Sequence, residues 1–386
     1  MKSHFSIHDK FSQKMVCLAG LGFLFLLISC GPSATKGPEA DAAVDGDGNI
    51  IDPTDDGFVR PDTGPREAGM VGCNPQSFEL EQAPPPEVFL VVDRSGSMLF
   101  DSNTPGMNRW EELLGATSLV LERFESQIQF GLLMYPSTDN ECVAPGHQVQ
   151  VGLYNRIEIE THLNFTTPNG GTPTAAALRN AAHSLEWLGD TGSEKFVILL
   201  TDGGPNCNYF LEAQPCTCLL TDQEWCCTAK EYDQECYFGY YCLDDIQTIS
   251  VIESLHGDSA IDTFVIGLDG TEEFAELLNL MADAGGRPLP GETRYFDATN
   301  QTVLIEAMEE IAGQMISCVI ELDEAPAAPH LVHIYIDGQE VPRNHIEGWE
   351  YTDGTFTAIE LHGSYCEMLK DGENHDLTAT FACEVD

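Results

Sequence analysis

The segment VFLVVDRSGSM, from Val88 to Met98, decides the fold of this chain. Five consecutive apolar residues lead directly into Asp93, and Ser95 and Ser97 follow at alternate positions. An uninterrupted apolar run of this length is typical of a strand that is buried on both faces of a parallel sheet. Such a strand delivers its last residues to the carboxyl edge of the sheet, where open α/β folds bind their ligands. The segment therefore predicts a ligand site immediately after a buried strand.

Similar apolar runs recur along the chain and indicate further buried strands, at 130–135, 196–202 and 261–268. Amphipathic patterns of helical period lie between these runs, which is the order expected of β-α-β units. Right-handed crossovers between parallel strands place helices on both faces of the sheet. We therefore predict an α/β fold over 85–317, with a doubly wound, mainly parallel sheet of the Rossmann-like kind.

Two further segments differ from this pattern. Seven cysteines fall between 207 and 242, among many aromatic residues and with little periodicity, so that 205–242 is predicted to be a disulfide-rich insertion. From 318 to 386 the sequence changes to short apolar runs separated by Asp-Gly turns, which predicts a small β-rich module.

The N-terminus predicts export. Lysines precede a compact apolar run that ends at Cys30, and this ending resembles a bacterial lipobox. We expect 1–29 to be a lipoprotein signal peptide and Cys30 to be lipidated, with Gly31 favouring the outer membrane. The stretch 30–84 is rich in Gly, Pro and Asp and is predicted to be an acidic tether. The protein should therefore be anchored to the cell envelope, at the outer membrane or cell surface.

The charge of the chain limits its partners. It carries 63 acidic residues against 17 basic ones, a formal net charge of −46. A surface of this sign repels phosphate backbones, which excludes nucleic acid as a partner. It also leaves the lipid anchor as the only expected contact with a membrane.

Oxygen-bearing side chains follow a second predicted strand and a glycine-rich turn. Asp202 ends the apolar run at 196–202, and Thr172 follows two glycines at the start of a helical pattern. With Asp93, Ser95 and Ser97 they form a set of two carboxylates and three hydroxyls at one sheet edge. Such ligands suit hard divalent ions, namely Mg²⁺, Mn²⁺ or Ca²⁺, rather than zinc or copper.

This pattern resembles the metal-ion-dependent adhesion site of von Willebrand factor type A domains, which reads Asp-x-Ser-x-Ser, then Thr, then Asp. The residues that match it are Asp93, Ser95, Ser97, Thr172 and Asp202. The resemblance implies a divalent cation, Mg²⁺ foremost, that the hydroxyls ligate directly, while the aspartates act through water or orient the serines. An ion held mainly by neutral oxygens keeps much of its charge, so it would bind an Asp or Glu carboxylate of a protein partner. The implied function is metal-dependent adhesion or complex assembly.

Two alternatives stay open at this point, a metal-dependent hydrolase and a structural envelope protein with a vestigial metal site. The sequence contains no G-x-S-x-G elbow, no H-E-x-x-H motif and no phosphate-binding loop. We therefore expect a binding protein and no enzyme.

The even number of cysteines beyond Cys30 predicts a disulfide framework. Because the two ends of a von Willebrand factor type A domain lie close together, the resemblance favours a Cys73–Cys318 bridge, which leaves a Cys366–Cys383 bridge in the C-terminal module. Cys142 would join the seven cysteines of the insertion in four bridges of open connectivity. Zinc ligation by the C-x-C and C-C pairs of the insertion is the less favoured alternative. The cysteines of the insertion are Cys207, Cys216, Cys218, Cys226, Cys227, Cys236 and Cys242.

Overall fold

The computed structural model describes residues 76–138, 142–208, 217–219, 241–322 and 324–381. The chain divides into two units, 1–68 and 69–386, and every described residue belongs to the second. The predicted signal peptide, the lipidation site Cys30, most of the predicted tether and most of the insertion lie outside the described residues. Within the described ranges, no helix is long and apolar enough to cross a bilayer.

A six-stranded sheet forms the centre of the larger, α/β part of the second unit. Its strands lie in the order β5-β4-β3-β6-β7-β8. All neighbouring strands are parallel except β5, which runs antiparallel to β4. The predicted mainly parallel sheet is thus confirmed. The strands are β3 (Glu87–Asp93), β4 (Gln129–Tyr135), β5 (Val149–Gly152), β6 (Lys195–Thr201), β7 (Ile261–Leu268) and β8 (Phe296–Ala298).

Helices cover both faces of this sheet, as the continuous apolar strands predict. Every residue of β3 is buried, and its side chains alternate between two cores: Leu90 contributes to one, and Val91 to the other. The helices α1 (Arg109–Phe124), α2 (Arg156–Asn164) and α6 (Gln301–Met315) cover the first core, whereas α3 (Thr174–Trp187), α4 (Asp245–Ser259) and α5 (Ala275–Ala284) cover the second.

The C-terminal module consists of two four-stranded antiparallel sheets, in the orders β1-β14-β10-β11 and β12-β13-β9-β2. Their shared core contains Ile320, Ile334, Trp349 and Ile359. A short helix, α7 (Ser364–Leu369), follows β13. The strands are β1 (Gln76–Glu79), β2 (Glu81–Gln82), β9 (Val319–Glu321), β10 (Val332–Ile336), β11 (Gln339–Val341), β12 (Gly348–Tyr351), β13 (Ala358–His362) and β14 (Leu377–Phe381).

Two of these strands come from the stretch predicted to be tether. β1 pairs with β14 and β2 with β9, so the larger α/β part is inserted between β2 and β9 of the module. Both strands lie at sheet edges and are four residues long or shorter. A short edge strand needs no apolar run, which is why the sequence QSFELEQ at 76–82 resembles a linker.

The disulfides correct one prediction and confirm another. Cys318 is bonded to Cys366, so the predicted Cys73–Cys318 and Cys366–Cys383 pairs are wrong. The reason is local: Cys318 precedes β9, which pairs with β13, and α7 then returns Cys366 to a Cα–Cα distance of 5.4 Å. Cys142 is bonded to Cys207, as expected of a cysteine that joins the insertion. Cys218 and Cys242 are also disulfide-bonded.

Candidate metal-binding site

The predicted ligands lie at the carboxyl edge of the parallel sheet. Asp93 is the last residue of β3, and Asp202 directly follows β6, which is the neighbouring strand. Both carboxyl groups are buried, with residue exposures of 0% and 2%. Ser95 is buried as well, whereas Ser97 is half-buried at the start of a short 3₁₀ helix.

A continuous series of hydrogen bonds connects four of these residues, from Asp93 through Ser95 and Ser97 to Asp202. The backbone N–H of Ser95 donates to Asp93 Oδ1 at 2.8 Å, which folds the loop back over the strand end. The hydroxyl oxygens of Ser95 and Ser97 are 3.0 Å apart, and Ser97 Oγ donates to Asp202 Oδ1 at 2.9 Å. The other oxygen of Asp93 accepts a hydrogen bond from Thr201 Oγ1 at 2.8 Å. Thr201 was not predicted as a site residue, because a threonine within a strand is common.

Backbone contacts hold the third loop beside the first two. The Gly96 N–H donates to Gly170 O at 3.0 Å, and the Thr172 N–H donates to the side chain of Asn206 at 2.9 Å. A Cβ at Gly171 would lie 2.7 Å from Cys207 Sγ, so this close approach requires glycine. Thr172 itself is 5% exposed. The structure therefore brings the three loops together at the site.

The two aspartates form a buried pair of like charges. Burial raises the pKa of Asp93 well above its ordinary value, and the negative charge of Asp202 raises it further. Burial raises the pKa of Asp202 too, although the hydrogen bond and charge of Arg109 oppose that rise. A site of this kind favours a nearby positive charge.

Arg109 supplies one such charge and was not predicted as a site residue. Its guanidinium Nη1 lies 2.8 Å from Asp202 Oδ2, in an ion pair whose acidic side chain is fully buried. Arg109 is the first residue of α1, where the helix dipole disfavours a cation. A cation in this position is unfavourable unless its side chain pairs with an acidic group elsewhere. This was the signal in the sequence that could have identified Arg109 as a site residue.

Arg94, by contrast, lies within the Asp-x-Ser-x-Ser segment, but its side chain donates hydrogen bonds to backbone carbonyl groups of neighbouring loops. Its guanidinium donates to Pro136 O at 3.0 Å and to Thr167 O at 2.9 Å. These bonds fasten the loops that follow β4 and α2 to the loop of the motif. Arg94 therefore shapes the edge of the site without pairing with either aspartate.

The donor set fits a hard divalent cation better than a transition metal. Within the described residues, no group of three or more His, Cys, Asp and Glu side chains is arranged to hold a metal ion. A cation at this edge would thus depend on hydroxyl oxygens in addition to Asp93 and Asp202. Carboxylate and hydroxyl oxygens are ligands suited to Mg²⁺, Mn²⁺ and Ca²⁺.

The fold and the site together define an α/β domain with a cluster of carboxylate and hydroxyl side chains at the carboxyl edge of its parallel sheet. The chain belongs to the von Willebrand factor type A domain family, whose family model matches residues 87–310. The expected resemblance is thereby confirmed.

The individual proteins that this chain resembles share little sequence identity with it. The uncharacterized protein YwmC of Bacillus subtilis (strain 168) is 28% identical over 140 residues, which cover 34% of this chain and 60% of YwmC. The pilus adhesin SpaC from Lactobacillus rhamnosus GG has 16% identity and a TM-score of 0.44, over 78% of this chain and 40% of SpaC. The minor pilin PilB from Streptococcus sanguinis has 20% identity and a TM-score of 0.43, over 61% of each chain. The similarity thus spans less than two thirds of each of these proteins.

Proposed function

We propose that this chain is an exported protein that binds a protein partner through a divalent cation, Mg²⁺ foremost. The observation that carries the proposal is the position of Ser97, whose hydroxyl meets both Ser95 Oγ and Asp202 Oδ1. A single hydroxyl that joins two loops in this way belongs to a preformed group of oxygens at the sheet edge. The residues proposed to hold the ion are Asp93, Ser95, Ser97, Thr172 and Asp202.

The hydrogen bonds favour separate roles for hydroxyls and carboxylates. Each of the four carboxylate oxygens of Asp93 and Asp202 already accepts a hydrogen bond, and the donor to Asp202 Oδ2 is the charged guanidinium of Arg109. The serine and threonine hydroxyls would therefore ligate the ion directly, while the aspartates orient them or act through water. A divalent cation held in this way would supply a coordination position for an anionic oxygen, such as the carboxylate of a partner.

The same contacts favour binding over hydrolysis. A general base must be free to accept a proton from an attacking water. Asp93 is engaged by Ser95 and Thr201, and Asp202 is engaged by Ser97 and Arg109. Protonation of either carboxylate would disturb contacts that hold the site together, which favours the binding role.

Exposed apolar side chains next to the motif suit a protein partner. Leu99 and Phe100 directly follow Met98 and are 47% and 61% exposed. Large apolar side chains exposed beside a ligand site are typical of binding surfaces. We propose that these two side chains contact the partner whose carboxylate completes the coordination of the ion.

Export and anchoring remain part of the proposal. The Cys142–Cys207 and Cys318–Cys366 disulfides support an oxidising compartment. We expect labelled palmitate to enter the wild-type protein in its host and to be absent from a Cys30→Ala variant. Label that persists in the variant would contradict lipidation at Cys30.

Isothermal titration calorimetry with Mg²⁺, Mn²⁺ and Ca²⁺ tests the metal site directly. Saturable one-site binding by the wild type should disappear in Asp93→Ala and Thr172→Ala. Thr166→Ala is the matched control, because its hydroxyl bonds His162 O at the end of α2 rather than the site. Metal binding unchanged in the two site variants would place the ion elsewhere on the acidic surface and contradict the proposal.

A further inference from the structure

One cationic side chain is built into the candidate metal site. Arg109 Nη1 lies 2.8 Å from Asp202 Oδ2, and the two side chains are 13% and 0% exposed. Ion pairs with so little access to water interact strongly, since solvent screens them poorly. Arg109 also lies in the first turn of α1, where the helix dipole favours negative side chains over positive ones.

The surroundings of Arg109 hold its guanidinium in place. The backbone N–H of Arg109 donates to Phe100 O at 3.2 Å, and the guanidinium carbon lies 5.6 Å from the centre of the Phe100 ring. On the other side, a Cβ at Gly270 would overlap the guanidinium. Gly270 has a φ of +94°, so the turn after β7 needs glycine both for its backbone and for the passage of the arginine.

The pairing changes the net charge of the site. When both carboxyl groups are ionised, Asp93 and Asp202 contribute −2, and Arg109 brings the sum to −1. With a divalent ion present the sum would be +1, whereas the aspartates alone would leave it at 0. The arginine therefore weakens the attraction between site and cation but increases the attraction between the loaded site and an anion.

We infer that Arg109 is a charge-setting residue: its pairing with Asp202 lowers the affinity for the cation and strengthens carboxylate binding by the loaded site. The inference rests on the metal-dependent binding proposed above and concerns how the same site selects an acidic partner. Arg109 is a positioning residue in this account, because it acts through Asp202.

The test compares Arg109→Gln and Arg109→Lys with the wild-type protein. Glutamine removes the charge but retains a hydrogen-bond donor, while lysine retains the charge. Mn²⁺ affinity is measured by calorimetry, and acetate binding by the relaxation of its methyl protons in the Mn²⁺-loaded protein. Arg123→Gln is the matched control, since Arg123 lies on the same helix and pairs with Glu309 instead.

We expect Arg109→Gln to bind Mn²⁺ about tenfold more tightly and acetate about tenfold more weakly than the wild type. Arg109→Lys keeps the positive charge and should match the wild type in both affinities to within about twofold, which a merely structural role would not predict. Arg123→Gln should match the wild type. Melting curves in chelator establish whether each variant is folded. If Arg109→Gln is unfolded, the Mn²⁺ and acetate affinities of Arg109→Lys test the inference.

Several outcomes overturn the inference. Unchanged or weaker Mn²⁺ binding by folded Arg109→Gln does so, as does a tenfold change of either affinity in Arg109→Lys. Tighter Mn²⁺ binding with unchanged acetate binding refutes the effect on the partner. If the wild type binds no Mn²⁺ but Arg109→Gln does, Arg109 blocks the site rather than setting its charge. Absence of Mn²⁺ binding in all variants instead refutes the proposed function itself, together with this inference.

Discussion

The hydroxyl of Ser97 donates to the carboxylate of Asp202 at 2.9 Å, across a separation of 105 residues. This contact exists because β3 and β6 are parallel neighbours whose ends coincide at one edge of the sheet. It links the loop after β3 to the loop after β6 before any ligand arrives. The site is therefore preorganised by the fold, and its parts can be tested one at a time.

Removing the Ser97 hydroxyl should weaken both the metal site and the fold. We predict that Ser97→Ala lowers Mg²⁺ affinity by about tenfold or more and the free energy of unfolding by about 1 kcal/mol. Calorimetry and urea denaturation measure the two effects. Ser118→Ala is the control, because Ser118 Oγ makes a similar bond to Glu160 Oε1 at 2.8 Å, between α1 and α2 and apart from the site. Loss of metal affinity in both variants would contradict a specific role for Ser97.

Neutralising Asp93 should have opposite effects with and without metal. Asp93 is fully buried beside Asp202, and no basic side chain pairs with it among the described residues. An asparagine can keep both hydrogen bonds, to the Ser95 N–H and to Thr201 Oγ1. We predict that Asp93→Asn raises the melting temperature in chelator by a few degrees, since it removes a buried charge.

The same variant should gain no thermal stability from added Mg²⁺, whereas the wild type should. Asp190→Asn, at an exposed position, serves as the control and should melt like the wild type under both conditions. A lower melting temperature of Asp93→Asn in chelator would show that the charge of Asp93 stabilises the fold without metal.

Another buried carboxyl group lies where the predicted insertion rejoins the fold. Asp244 is 2% exposed, and burial raises its pKa to about 6 from the ordinary value of 3.8. Asn208 donates to Asp244 Oδ2 at 3.0 Å, while Oδ1 has no hydrogen-bond partner in the described part of the chain. The folded protein therefore tolerates the neutral form of Asp244 better than the charged form.

The pKa of Asp244 predicts the sign of a pH effect. Because the folded pKa is the higher one, this group destabilises the fold progressively as pH rises from about 4 to about 6, and fully above that. We predict that Asp244→Asn raises the melting temperature by about 3 °C at pH 7.5 and by much less at pH 4.5. Glu253→Gln, exposed on α4, is the control. An equal shift at both values of pH would contradict the account.

The sequence predicted those parts of the protein that depend on short continuous segments. β3 is buried along its whole length, and its continuous apolar run predicted that Asp93 ends a strand at the sheet edge. Arg109 escaped prediction because its partner Asp202 lies on another element, and in sequence it is only the first residue of an amphipathic helix. β1 and β2 escaped because edge strands of a few residues carry no periodic signal.

Disulfide pairing shows the same limit of sequence reasoning, and it yields a further prediction. The Cys318–Cys366 bond depends on the pairing of β9 with β13, which no spacing of cysteines reveals. The bond closes a separation of 48 residues, for which chain entropy gives a stabilisation of about 4 kcal/mol. We predict that the double variant Cys318→Ser, Cys366→Ser loses a large part of that free energy of unfolding in urea. An unchanged unfolding midpoint would contradict it.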